Sequence, residues 1–440
     1  MSAYPRVPLC FVLLTVSGIA LAPLTWAANL GEIHALARAH DARYAAAREA
    51  WRAGQEKLPQ GRAGLLPSLN LTANLRRNDT SNADYTSRSY GLSLSQPIYR
   101  RQNLESWEQA KLLGLRAEQE LAVAEQELML RVARAYFDVL LAEDALSTVR
   151  AQKQAIAEQL AAARMSFDVG TATITDTHEA QARFDLVTAQ EIAAVNDLEV
   201  ARRALEKLIN REAPALARLH EQARLPMPQP DDMNAWVTQA ERDGLAVALQ
   251  RTALEIAQRE VARQRGGHHP TVDLAASYSD NRNVAIGGGG VTGNTRSGMV
   301  GLEFALPLYQ GGATQSRVRE SLALRDKAQF DLDEARRQAR LEARQAFLGV
   351  LSGDARVRAL EQALVSSQAQ LRSTTLGLEV GVRTRVDVLN AQQQLFTTRR
   401  DLAAARYQTL ISGLQLKAAA GSLAVEDLHA VDALLREPNG

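Results

Sequence analysis

The side chains of this 440-residue sequence that could do covalent or metal chemistry are few and dispersed. Of its seven histidines only His268 and His269 are adjacent, at the entry to a predicted strand, where solvated loop side chains are the ordinary explanation. No H-E-x-x-H or Walker pattern occurs, and the four glycines at 287–290 lack the following lysine and helix that a phosphate cradle needs, so they read as a flexible loop. Cys10 is the only cysteine and lies in an apolar N-terminal run, which leaves a mature chain without a disulfide, a thiolate nucleophile or a cysteine metal site. With 51 Lys+Arg against 50 Asp+Glu, the basic excess of a nucleic-acid binder is missing. The expectation is a protein that is not an enzyme, takes no cofactor and has no nucleic-acid partner.

The polar groups that remain must be placed by something, and the first clue is compartment. Residues 1–27 read as a secretory signal: Arg6 is the one charge, an apolar run follows from Leu9 to Leu21, and Thr25-Trp26-Ala27 offers a small-residue cleavage site. The run is shorter than the roughly 20 residues that a spanning helix needs. Past Ala28 no stretch is long and apolar enough for a membrane helix, so any membrane crossing must use strands.

A large internal repeat organises the rest. Leu66-Pro67-Ser68-Leu69 corresponds to His269-Pro270-Thr271-Val272, and Gln96-Pro97-Ile98-Tyr99 to Leu306-Pro307-Leu308-Tyr309. Val169, Gly170 and Asp176 match Val380, Gly381 and Asp387. One unit is used twice, over 28–213 and 235–421, joined by a proline-rich connection at 214–234 and followed by a C-terminal segment at 422–440.

Within each copy the periodicity changes. Residues 98–213 and 308–437 contain no proline and are dominated by Ala, Glu, Gln, Arg and Leu, which predicts long helices. A helix from Ile98 to Arg164 would reach about 100 Å, far beyond a globular domain's needs. Phe184, Leu198 and Leu205 repeat in sevens beside Val187, Ala194, Ala201 and Leu208, a coiled-coil seam interrupted at Glu191. Four short segments alternate with period two: Leu69, Leu71, Ala73 and Leu75; Tyr90, Leu92 and Leu94; Val272, Leu274, Ala276 and Tyr278; Val300, Leu302, Phe304 and Leu306. Each is about the 9 to 11 residues of a tilted transmembrane strand. The polar stretches 78–87 and 281–297 read as exposed hairpin loops, and Tyr99 and Tyr309 sit where an interfacial aromatic girdle would lie. A soluble half-buried sheet alternates in the same way; the secretory signal and the excessive helix length favour the membrane. Four strands cannot close a barrel, and an open pore needs about 12, hence at least three chains.

Val169-Gly170 through Ile174-Thr175-Asp176, Leu306-Pro307-Leu308-Tyr309-Gln310-Gly311-Gly312, Val380-Gly381-Val382-Arg383-Thr384-Arg385-Val386-Asp387 and Ala405-Arg406-Tyr407 through Gly421-Ser422-Leu423 resemble the TolC family of outer-membrane channel tunnels. The resemblance implies a mixed, mostly α fold. Long coiled-coil helices form a periplasmic α-barrel continuous with a transmembrane β-barrel of four strands per chain, 12 in a homotrimer. It places Leu69, Leu71, Leu92, Leu94, Val272, Leu274, Leu302 and Phe304 against outer-membrane lipid. It also implies a periplasmic adaptor and an inner-membrane ABC or proton-driven transporter, docking at the helix turns marked by Gly170 and Gly381.

By the same resemblance Arg383 latches the periplasmic end by bonding to Thr175 and Asp176 of a neighbouring helix pair, and Asp387 forms the entrance constriction. Relatives carry a second aspartate where this chain has Asn390, and a tyrosine where it has Leu378. The expected role is passive export from the periplasm, in type I protein secretion or a tripartite efflux pump. The rival is a non-channel periplasmic coiled-coil adaptor or surface-anchored structural protein.

Overall fold

The computed structural model describes residues 27–80, 83–171, 173–220, 223–285 and 293–436. The secretory signal, apart from Ala27, and the glycines at 287–290 lie outside them. Three helices, α1 (Leu30–His40), α2 (Ala42–Gln55) and α3 (Lys57–Ala63), lead into the hairpin of β1 (Ser68–Thr80) and β2 (Ala83–Arg100). Helix α4 (Arg101–Asp168) then runs 68 residues, about 100 Å at 1.5 Å per residue, before the chain reverses into α5 (Ile174–Ile209). A short strand β3 (Arg218–Leu219) precedes the second copy: α6 (Met233–Asp243), α7 (Leu245–Arg265), the hairpin β4 (Thr271–Ala285) and β5 (Gly293–Ala305), α8 (Ala313–Glu379) and α9 (Arg385–Ala419). Helix α10 (Val425–Asp432) and β6 (Leu435–Arg436) close the chain.

The four long strands form one antiparallel sheet in the order β1-β2-β4-β5. Two boundaries differ from the sequence reading. The polar tips expected as loops are largely strand: β1 and β2 pair as far as Thr80 with Ala83, and β4 reaches Ala285. Their Asn, Ser, Thr and Arg side chains look like loop composition, but backbone pairing with a neighbouring strand satisfies the peptide groups whatever the side chains are. Likewise β2 continues through Pro97 to Arg100, so α4 starts at Arg101 rather than Ile98; a register shift between Pro97 and Tyr99 accommodates the proline, which cannot donate to the ladder.

Helix packing shows how two long helices and several shorter ones make a wall. Near the sheet α4 packs on α2, α3 and α7, and α7 packs on α8. Beyond the middle α4 packs on α5 and α9, and α9 packs on α8. The predicted seam is present: Val187, Ala194, Leu198, Leu205 and Leu208 are buried. Its interruption is explained by Glu191, which accepts from Lys153 at 2.8 Å and Arg150 at 3.2 Å on α4.

The main core lies midway along the helices. Tyr136, fully buried, donates to the carbonyls of Ala217 (2.7 Å) and Ala28 (3.2 Å), fixing the start of the first repeat and the connection that follows it to α4. Phe137 stacks on Tyr407, whose hydroxyl donates to Asp144 at 2.7 Å. Asp432 caps the first helix from the other end of the chain, accepting from Leu30 N–H at 2.7 Å and Gly31 N–H at 3.1 Å. Thus the proline-rich connection and the C-terminal segment meet α1 around one girdle of apolar side chains.

Candidate functional site

The two helix reversals have the same construction. At the first, Gly170 adopts φ 77°, its N–H bonds the Phe167 carbonyl at 2.9 Å, and Thr171 N–H bonds the Ser166 carbonyl at 2.8 Å. At the second, Gly381 adopts φ 78°, with Gly381 to Leu378 at 3.1 Å and Val382 to Gly377 at 2.8 Å. This is the paired 6→1 and 5→2 ending that needs a left-handed residue, hence the glycine in each copy. The outgoing helices start alike. Thr173 caps α5 and Thr384 caps α9; in each, the carboxylate three residues on accepts from the threonine N–H at 3.0 Å and its hydroxyl at 2.9 Å. The threonine oxygen accepts in return from the Asp176 or Asp387 N–H at 3.2 Å.

The residues singled out in the sequence sit at this tip as follows. Asp176 spends its carboxylate on its own helix cap, while Thr175 is exposed. Arg383 is exposed and its guanidinium has no hydrogen-bond or ion-pair partner among the described residues. Its stem lies over Gly377: a β-carbon built there would stand 2.6 Å from Arg383 Cγ, and the Arg383 N–H bonds the Gly377 carbonyl at 3.0 Å. Asp387 uses one carboxylate oxygen for its cap. The Thr384 N–H, then the Thr384 hydroxyl and the nearby Arg383 charge hold its carboxyl below the ordinary aspartate range. Asn390 Oδ1 accepts from Arg183 Nη2 on α5 at 2.8 Å.

Three of these contacts tie the second coil to the first. Besides Asn390 to Arg183, Arg385 Nη2 donates to Ser166 Oγ at 2.5 Å, and Gln152 Nε2 donates to Gln393 Oε1 at 2.5 Å. Helix α9 is therefore pinned to α4 and α5 at three levels above the turn. Ser166, Arg183, Gln152, Gln393 and Gly377 were missed in the sequence. The one available signal was that the fourth residue before each turn's left-handed glycine, Ser166 or Gly377, is small in both copies.

At the opposite end the sheet has one apolar face. Leu69 pairs with Leu94 and Leu71 with Leu92; Val272 pairs with Phe304 and Leu274 with Leu302. Leu71 is 76% and Phe304 67% exposed in the single chain, a large apolar surface without a cover. The other face carries Asn70, Ser93, Thr72, Ser277 and Ser279. No described helix is long and apolar enough to cross a membrane.

Comparison with known proteins accords with this architecture. A family model described as outer membrane efflux protein matches residues 34–211 and 236–422. Outer membrane protein TolC of Vibrio cholerae is 33% identical over 94% of this chain and 96% of its own length. Alkaline protease secretion protein AprF of Pseudomonas aeruginosa is 32% identical over 90% of this chain and 85% of its own. Among solved structures, the CmeC outer membrane channel of Campylobacter jejuni superposes with a TM-score of 0.79 at 15% identity, covering 92% of this chain and 89% of that one. The two matched repeats, the uncovered apolar sheet and relatives one-third identical along nearly the whole chain place this protein in the outer membrane efflux protein family, as an outer-membrane export channel of the TolC type.

Proposed function

We propose that three copies close into one tunnel whose periplasmic end is a gate built on the two helix reversals. The observation that carries the reading is the open sheet. β1 and β5 are its outer strands and have no further strand beside them among the described residues, yet its apolar face is ready for lipid. Exposed strand edges template pairing with another chain, and a barrel removes them altogether. Leu69, Leu71, Leu92, Leu94, Val272, Leu274, Leu302 and Phe304 then face outer-membrane lipid. The helical wall is open in the same sense, with α5 and α8 at its flanks. Leu186, Ile192, Val195 and Val200 of α5 and Val365 and Leu376 of α8 are exposed and apolar, suited to meeting one another between copies.

In that assembly the unpartnered Arg383 reaches a neighbouring copy's Thr175 and Asp176 and holds the entrance shut, while Asp387 lines it. An isolated exposed pair contributes about 0.2–1 kcal/mol, so the latch depends on threefold repetition and on the clasps inside each chain. The carboxylates of Asp387, brought together by symmetry, focus a negative potential in the constriction. The chain holds no nucleotide-binding pattern, so transport energy comes from partners: a periplasmic adaptor docking near Gly170 and Gly381, and an inner-membrane ABC or proton-driven transporter. Curated relatives named as outer membrane protein TolC and as protease secretion proteins support a cargo range that includes secreted protein. Deletion of the gene, with secreted protein and drug susceptibility both measured, tests this. Loss of either export route supports the reading, and loss of neither overturns it.

A further inference from the structure

The apolar face of the sheet changes character toward its hairpin ends, the ends farthest from the helices. Across the register Leu71, Leu92, Tyr278 and Gly298 make one row. The next row on the same face is Ala73, Tyr90, Asp280 and Arg296, and the one after it is Leu75, Arg88, Arg282 and Asn294. Arg77 follows on β1, opposite Thr86, and Asp79 lies one step beyond. Four arginines therefore gather on the face that is otherwise apolar, about 7 to 20 Å along the strands from the leucine row. Arg88 and Arg282 stand directly opposite each other on adjacent antiparallel strands, a placement in which like charges repel. Compensation within the chain is partial: Asp280 pairs with two of the four arginines. Asp280 accepts from Arg296 at 3.3 Å and from Arg282 at 3.4 Å, and Arg88 has no hydrogen-bond or ion-pair partner among the described residues.

We propose that this band binds the phosphate groups of anionic lipid in the outer leaflet. The proposal rests on the reading above that this face meets lipid. Guanidinium groups fit phosphate oxygens in pairs and keep their charge in a poorly hydrated setting, which suits Arg better than Lys. Tyr278 stands in the last leucine row and Tyr90 in the adjoining first row of the arginine band, so the two rings straddle the boundary where the amphipathic ring of an interfacial tyrosine belongs. A soluble polyanion would not need its basic site in rows shared with Leu75, Tyr90 and Tyr278; a lipid, whose phosphate sits directly above its acyl chains, does. The excess arginine is thus a designed repulsion that the ligand relieves, repeated in each copy around the rim.

The test uses the purified full assembly in detergent, titrated with diphosphorylated lipid A, with its dephosphorylated counterpart and with inorganic phosphate, read by native mass spectrometry. The wild-type protein should bind the phosphorylated lipid about tenfold or more tightly than the dephosphorylated one, and inorganic phosphate should not compete at equal concentration. Arg88→Gln with Arg282→Gln should abolish that preference. Equal binding of the two lipids, an unchanged preference in the variant, or full competition by inorganic phosphate would overturn the proposal. Should the variant fail to assemble, the wild-type comparison decides alone. A spin label at Leu71→Cys in a Cys10→Ser background separates the two readings. A label in lipid with no phosphate preference sinks the arginine site only, whereas a label in water sinks the lipid-facing assignment beneath it.

Discussion

Arg385, the first residue of the last long helix, donates to the hydroxyl of Ser166, two residues before the end of the first, at 2.5 Å. The bond joins the two coils of one chain just above their reversals, and it is made by residues whose counterparts at the other turn, Ile174 and Gly377, have no side-chain group able to form it.

Removing this clasp should ease opening. A bond to a charged donor at a partly exposed site is worth about 1 kcal/mol, so three together would raise the open population by as much as about a hundredfold if all act on one equilibrium. Arg385→Ala and Ser166→Ala should each raise single-channel conductance or open probability in planar bilayers, and the double variant should add little to either single change. Additive effects would show that the two residues do not act as a pair.

Gly377→Ala offers a test of Arg383 that leaves its charge in place. The new β-carbon would fall 2.6 Å from Arg383 Cγ, so the side chain must move off its seat. Conductance should rise in Gly377→Ala as it does in Arg383→Ser. A closed wild-type-like channel in both variants removes Arg383 from the gate.

The long elements were legible because their signals are local. Proline-free runs and sevenfold spacing mark α4, α5, α8 and α9, and the alternation from Leu69 to Leu75 marks a strand without reference to anything distant. Asp387 and Gly381 were legible because the repeat shows each twice. The ends of the hairpins were not, since Asn78, Ser87 and Asn281 are placed in strands by a neighbour's backbone rather than by their own propensity. Arg385 to Ser166 and Asn390 to Arg183 join residues more than 200 positions apart, and the pairing depends on how one coiled coil is rotated against another.

Asp387 gives an ion-selectivity prediction with a defined pH sense. The Thr384 N–H, its hydroxyl and Arg383 favour the ionised carboxylate, so its pKa lies below the usual aspartate value. Cation preference and block by multivalent cations from the periplasmic side should therefore be full at neutral pH and fade as falling pH protonates the carboxylates, the Thr384 and Arg383 contacts holding that loss to a lower pH and the mutual repulsion of the ring opposing them. Block should weaken at high salt, as screening shortens the field's reach. Asp387→Asn should shift reversal potentials away from cations, and Asn390→Asp should strengthen its bond to Arg183 with a smaller effect on block, because that side chain already faces Arg183. Unchanged block in Asp387→Asn places the constriction elsewhere.

Asp144 predicts a pH-dependent contribution of the opposite sign to stability. Burial raises its carboxyl pKa above the ordinary value, although Tyr407 donates to it at 2.7 Å. A raised folded pKa means that the folded state holds the proton more tightly than the unfolded chain, so the group's contribution is full at low pH and is lost as pH rises through the folded value. Asp144→Asn keeps an acceptor for Tyr407 and removes the buried charge. Its melting temperature relative to wild type should be higher at pH 8 than at pH 4. A difference that is flat with pH would show that Asp144 is not strained by ionisation.

On the proposed assembly this chain makes a pore only as a closed set of three. The most direct measurement is the mass of the intact particle extracted from membranes and shown to conduct in a planar bilayer, taken before and after heating. The expected result is three chains per conducting particle and loss of conductance with dissociation to single chains. A conducting particle of one or two chains would contradict it, because four or eight strands of this sheet leave no open lumen.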